Sequence, residues 1–353
     1  MRGAVIHGPR DVRVEVRPAP QLLTPDDAVV RVVASCVCGS DLWQYRGISE
    51  VRSPRPIGHE LVGVVEQVGA DVTSVDAGDF VLVPFSLSCG ECQACRTGFP
   101  SVCVRMTMVG GVDRDGNQLD GAQGERVRLP LAEHSLVRVG LSEQEIETRG
   151  LTPHLLALCD VMSTGYHAAV SAGVVPGDTV AVVGDGAVGL CAVIGARLLG
   201  AQRIIMMSRH ADRATLAREL GATHVVPERG DAATEAIMNV LDGDLVDAAL
   251  ECVGTKESMD QALSVVRGGG QVGFVGVPAG GPELKIGDLF TRNIGVKGGM
   301  ASARRYMEEL LPLVLSGEIE PGKVFDRTLP LAQLAEAFEA MDARAAIKVM
   351  IRP

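Results

Sequence analysis

From residue 1 to about 150, apolar and polar residues alternate in short runs: AVIHG, DAVVRVVAS, ELVGVVEQVG, DFVLVPF and EHSLVRVG, separated by Gly, Pro and Asp. That pattern predicts short strands joined by tight turns. Near residue 150 the rhythm changes. TPHLLALCDVMSTGYHAAVSAG reads as helical. After it the apolar runs DTVAVVG, RIIMMS, THVVP, DAALECVG and GQVGFVGVP alternate with the helical patterns ADRATLARELGA, TEAIMNVL and SMDQALSVVRGG. Strands apolar on both faces belong in the middle of a parallel sheet, and their alternation with helices predicts a doubly wound α/β domain. Two more helical stretches, RRYMEELLPLVLSG and AQLAEAFEAMDA, precede a last strand, AIKVMIRP.

The 353 residues suit two domains of about 100–200 residues each. Hydrophobic residues are 46% of the chain but aromatics only 3%, so the core is expected to be aliphatic. A net charge of −11 without a long basic run argues against a nucleic-acid or anionic-membrane partner. The first residues lack an apolar core followed by a small-residue cleavage site. The most apolar stretch, GAVGLCAVIGARLLGA, is interrupted by glycines and Arg197, which argues against a membrane span. A soluble, cytoplasmic protein is expected, where thiols stay reduced.

Two local motifs carry chemistry. Cys89, Cys92, Cys95 and Cys103 lie within fifteen positions. In a reducing compartment such short loops bring four thiolates onto one tetrahedral zinc. With every coordination position filled by protein, that zinc is structural. Gly184, Gly186 and Gly189 have G-x-G-x-x-G spacing, follow a predicted strand and open a predicted helix, the context of a dinucleotide loop. Gly184 makes the turn, Gly186 admits the pyrophosphate, and Gly189 lets helix and strand pack. The second strand ends in Ser208, Arg209 and His210 with no carboxylate at its tip. A hydroxyl and a guanidinium suit a 2′-phosphate, which favours NADP and leaves NAD possible.

GHELVGVVEQVGADV begins Gly58-His59-Glu60 and continues with Gly63, Gly69 and Val72, and CVCGSDLW lies upstream. With the cysteine lobe and GDGAVG, these stretches resemble the zinc-type alcohol dehydrogenases of the medium-chain dehydrogenase/reductase family over essentially the whole chain. The resemblance implies a GroES-like, β-rich catalytic domain built from residues 1–160 and 300–353. A Rossmann domain would span 161–299, with the active site in the cleft between the two. Two zincs per chain follow, one in the cysteine lobe and one catalytic. For the catalytic zinc it implies Cys38, His59 and, in LCDVMSTGYHA, Asp160, although Cys159 stands one position away. Taken alone, His59 reads more readily as a satisfied histidine at a strand end and Cys38 as a small buried hydrophobe than as metal ligands. Glu60 resembles a carboxylate that can approach the metal, and Asp41 the group that orients His59.

Three protein ligands leave zinc one position for an alcohol or carbonyl oxygen. Ser40 resembles the family's proton-relay hydroxyl. Trp43 departs from the histidine that many members carry there, and an indole cannot pass a proton on. The same resemblance implies cofactor contacts from Thr164, from Val253 and Gly254, and from Val275, Gly276 and Val277. It also implies that Lys348 reaches the pyrophosphate, and that the chain forms a tetramer or dimer. The expected activity is hydride transfer between NADP(H) and an alcohol, aldehyde or ketone. Rival readings are an NAD-dependent polyol or threonine-type dehydrogenase and a non-enzymatic nucleotide binder.

Overall fold

The computed structural model describes residues 1–51, 54–278 and 284–353. The chain divides into two compact units, Met1–Asp160 with Ser302–Pro353, and Val161–Ala301.

In the first unit the N-terminal alternation forms a hairpin, Arg2–Gly8 against Asp11–Val16. A larger sheet is organised around the strand Ala28–Cys36, which pairs antiparallel with Leu61–Val68 and with Arg126–Leu129. The last strand, Val349–Arg352, joins it through Met350 opposite Cys36, so the C-terminus closes against the strand that leads to Cys38. Inward-facing Val30, Val32, Leu61, Val81, Val83 and Leu129 pack one aliphatic core. Gly63 is required where these strands cross closely, because a Cβ there would lie 2.2 Å from the Arg31 carbonyl oxygen.

Two expectations change here. EHSLVRVG is not one strand: Ala132–Ser135 form a helical turn and only Val137–Arg138 are extended. That turn presents the Glu133 carboxylate to the backbone N–H groups of Thr73 and Ser74, a tertiary contact that overrides the local alternation. The helical stretch after residue 150 is two helices, Thr152–Leu158 and Val161–Ser171, with Cys159 and Asp160 at the break.

The second unit holds a six-stranded parallel sheet in the order His224–Val226, Arg203–Met207, Thr179–Val183, Val246–Glu251, Val266–Phe274, Gly295–Gly298. The chain order reverses at Thr179–Val183, and ligands of such sheets sit at the carboxyl ends of the strands at that switch. The helix predicted over SMDQALSVVRGG stops at Val265, and the glycine-rich remainder enters the strand Val266–Phe274. Successive glycines are poor helix formers. Among the described residues, no helix is long and apolar enough to cross a membrane.

Candidate active site and metal centres

The pairing of Ser35 with Leu61 sets the end of one strand beside the start of its antiparallel neighbour. Cys38 follows the first strand and His59 precedes the second, so their side chains meet. Asp160 reaches them from the break between the two helices. His59 Nε2 lies 3.5 Å from Asp160 Oδ2, and Cys38 Sγ lies 3.5 Å from the same oxygen. Ligands bonded to one tetrahedral zinc at about 2.0–2.3 Å are separated by about 3.3–3.8 Å, so this set fits the ion. Glu60 brings a fourth donor, all ligand atoms lying within 4.8 Å of one another and all four residues being buried. Its Oε2 is buried with no hydrogen-bond partner.

The electrostatics also suit a cation. Burial, then Asp160 and Glu60, push the Cys38 thiol up. Burial alone would lower His59, but Cys38, Asp41 and Asp160 outweigh it and raise the imidazole. Both groups thus sit among negative charge, and a metal bound there would compete with protons for the same atoms.

Asp41 backs the imidazole, its Oδ1 standing 3.4 Å from His59 Nδ1. Its Oδ2 accepts from the Cys38 backbone N–H at 3.0 Å and from Gln123 Nε2 at 3.1 Å. Gln123, wholly buried, also donates to the Cys36 carbonyl, and no sequence motif marked it. Ser40 is half-buried and stands just before the short helix Asp41–Tyr45, which carries the half-buried Trp43. Cys159 is turned away, its thiol donating to the Leu61 carbonyl at 3.1 Å. The structure thus brings Asp160, not Cys159, to Cys38 and His59.

Lys348 requires a correction. Instead of an ammonium free for a pyrophosphate, it is buried in the first unit, donating to Glu60 Oε1 at 2.7 Å and to the Val37 carbonyl at 3.2 Å. A buried ammonium must be paired, and its partners lie next to two members of the ligand cluster.

In the cysteine lobe, Cys92 and Cys95 Sγ are 3.5 Å apart, and Cys89 and Cys103 Sγ 3.4 Å. These separations far exceed a disulfide bond of about 2.05 Å. They approach the edge of a four-thiolate zinc site. Backbone N–H groups of Cys89 and Arg105 point at Cys103 Sγ. Those of Cys95 and Val104 hold the Cys92 thiol down at about 6. Burial and the neighbouring Cys92 and Cys103 push Cys95 up to about 12.

In the second unit, Gly184 turns the chain at φ 113° and Gly186 caps the helix Ala187–Leu198, with open space where a Cβ would stand. A Cβ on Gly189 would lie 1.7 Å from the Gly184 carbonyl oxygen. Buried Glu251, which sequence reasoning missed, accepts from the N–H groups of Val253 and Gly254 at 2.8 Å and shapes that loop. Gly254 in turn packs on the Val277 carbonyl, while the side chains of Val253 and Val277 are exposed. Val275 donates its N–H to the Glu251 carbonyl, and Thr164 is buried on the helix Val161–Ser171.

The strand tip needs a second correction. A carboxylate does stand there, supplied by Asp185 of the glycine loop rather than by the strand. Ser208 Oγ donates to Asp185 Oδ2 at 2.7 Å, and Arg213 Nη1 lies 3.4 Å from Asp185 Oδ1. Arg209 is exposed and His210 stands just before the helix Ala211–Leu220. Arg229 Nη2 donates to the Met207 carbonyl, beside Ser208. Burial and then the nearby Arg209 lower Arg229, the sign of two guanidinium groups sharing one region.

Comparison with known proteins is consistent with both units. Residues 24–139 match the alcohol dehydrogenase GroES-like domain and 187–316 the zinc-binding dehydrogenase domain. A Mycobacterium tuberculosis protein named a probable zinc-binding alcohol dehydrogenase is 35% identical over 100% of this chain and 89% of its own length. The solved alcohol dehydrogenase TADH of Thermus sp. ATN1 is 32% identical with a TM-score of 0.89, over 100% of this chain and 99% of its own. A Sinorhizobium meliloti zinc-binding dehydrogenase solved with NADP is 26% identical with a TM-score of 0.83, over 100% and 99%. With a ligand cluster that fits zinc and a parallel sheet bearing a dinucleotide loop, this full-length similarity makes the chain a member of the zinc-dependent alcohol dehydrogenases of the medium-chain dehydrogenase/reductase family.

Proposed function

We propose that the protein transfers a hydride between NADP(H) and an alcohol, aldehyde or ketone. In this reading one zinc is held by Cys38, His59 and Asp160 and a second by the cysteine lobe. The observation that carries it is the 3.5 Å spacing of Asp160 Oδ2 from both Cys38 Sγ and His59 Nε2, a separation suited to one tetrahedral ion. Bound there, zinc supplies a Lewis acid that polarises the substrate oxygen. The protein's own part is orientation and proton handling. Asp41 fixes the ring of His59, Gln123 fixes Asp41, and the Ser40 hydroxyl, two residues from Cys38, is the group assigned to pass the substrate proton.

NADP is favoured because three guanidinium groups gather near Ser208. Arg213 answers the charge of Asp185 and Arg229 is bonded to backbone carbonyls, which leaves the exposed Arg209 for a 2′-phosphate with Arg229 adding positive charge nearby. Asp185 itself favours a second reading, NAD, since a carboxylate beside Ser208 can accept ribose hydroxyls.

The test follows nicotinamide absorbance with a panel of aldehydes and ketones, first with NADPH and then with NADH, before and after chelation. Turnover with NADPH that is lost on chelation is expected, with two zincs per chain. Preference for NADH would overturn the cofactor reading alone. Turnover indifferent to removal of both metals would overturn the zinc reading.

A further inference from the structure

One buried ammonium bridges the two segments that carry Cys38 and His59. Lys348 Nζ bonds the carbonyl of Val37, the residue before Cys38, and the carboxylate of Glu60, the residue after His59. The Lys348 side chain is 1% exposed and that of Glu60 0%. The face of Phe325, 5.8 Å from the ammonium, covers it on another side. With water excluded, each charge depends on the other.

Glu60 nevertheless belongs to the ligand cluster, with one oxygen unpartnered. The chain therefore offers four donors, although an open site needs three. Charge decides among them. A Cys38 thiolate and the Asp160 carboxylate balance a divalent ion, and Lys348 balances Glu60. If Glu60 joined the metal through its unpartnered Oε2, a third anionic donor would make the centre anionic, and the carboxylate would be shared between the ion and Lys348, weakening the ion pair on which the buried ammonium depends.

We propose that Lys348 is a positioning residue that holds the Glu60 carboxylate off the metal and so keeps the fourth coordination position open. The proposal rests on the zinc reading above. Lys348 acts through Glu60 and does not touch the reacting atoms.

Cobalt(II)-substituted full-length protein tests it, because the visible bands report the ligand set and difference spectra between variants cancel the cysteine lobe. In Lys348→Met the bands should shift to those of a site with an added carboxylate, and chelator-driven metal release should slow by about tenfold. A merely structural lysine predicts the opposite, since losing an outer partner usually costs about 10–100-fold in metal affinity. The double variant Lys348→Met with Glu60→Gln should return the bands to wild type. Glu60→Gln alone, which does not depend on Lys348→Met folding, should keep wild-type bands. Unchanged bands or faster release in Lys348→Met, or altered bands in Glu60→Gln, would overturn the proposal. One metal per wild-type chain would instead bring down the zinc reading, and this inference with it.

Discussion

The Ser208 hydroxyl donates a hydrogen bond to Asp185 Oδ2 at 2.7 Å, joining the tip of the strand Arg203–Met207 to the glycine loop. The bond places a negative charge at the tip of that strand, with Arg213 as its counterion; on the NADP reading proposed above, this charge opposes a 2′-phosphate. Asp185→Asn should therefore improve NADPH, lowering its KM about tenfold, the equivalent of about 1.4 kcal/mol, while weakening NADH. Arg209→Gln should lower kcat/KM for NADPH about 10–100-fold, the range of one charge-assisted hydrogen bond, and leave NADH nearly unchanged. Steady-state kinetics with both cofactors check the pair. Equal effects on both nucleotides would remove the phosphate assignment.

Asp160 and Cys159 are neighbours with opposite commitments, one to His59 and Cys38 and the other to the Leu61 carbonyl. Asp160→Ala should reduce metal content by one ion per chain and cut turnover by at least about 10³, the loss of several kcal/mol of charge stabilisation. Cys159→Ala should keep both ions and cost about 1 kcal/mol of stability, as for an ordinary core change. Metal analysis with activity separates them, and loss of an ion from Cys159→Ala would reverse the assignment.

Gly189 has no room for a methyl group, because the Gly184 carbonyl oxygen would stand 1.7 Å from it. The obstacle is backbone, so Gly189→Ala must push the loop and helix apart at a cost of about 1–3 kcal/mol or more. Nucleotide affinity, read by fluorescence of bound NADPH, should fall at least about tenfold. Metal content should not change, since all the candidate ligands belong to the other unit. Unchanged nucleotide affinity would show that the loop does not carry the pyrophosphate.

What was legible in the chain follows from how far each contact reaches. The four cysteines and the glycine loop are local, so spacing alone exposed them. Cys38, His59 and Asp160 come from separate segments and became readable only through the resemblance of their flanking stretches. Gln123 meets Asp41 across 82 positions and Lys348 meets Glu60 across 288. Nothing in DGAQGER or AIKVMI announces such partners. Asp185 was in plain view between two glycines, yet only the parallel pairing of Val183 with Met207 brings it to Ser208. The strand predicted over EHSLVRVG failed for the same reason, because Glu133 answers to a distant loop.

That Glu133 contact predicts a pH dependence. Its carboxylate accepts from the backbone N–H of Thr73 at 2.5 Å, and from the N–H of Ser74 and the Thr73 hydroxyl at 2.9 Å. The Thr73 N–H above all, with Ser74 and the two hydroxyls, holds its pKa at about 2 against an ordinary 4.5. The folded value is depressed, so the ionised form favours folding. The stabilisation is complete above pH 4.5 and disappears as pH falls toward about 2. Because the group is largely solvated, the contact is worth at most about 1 kcal/mol. Glu133→Gln keeps an acceptor but turns an amide N–H toward backbone donors, so it should lose that amount at neutral pH. Urea denaturation of wild type and variant, repeated from about pH 7 down to about pH 3, should show the gap narrowing below pH 4.5. A gap that stays constant over this range would mean that the charge of Glu133 contributes nothing, and that the loop is held by packing alone.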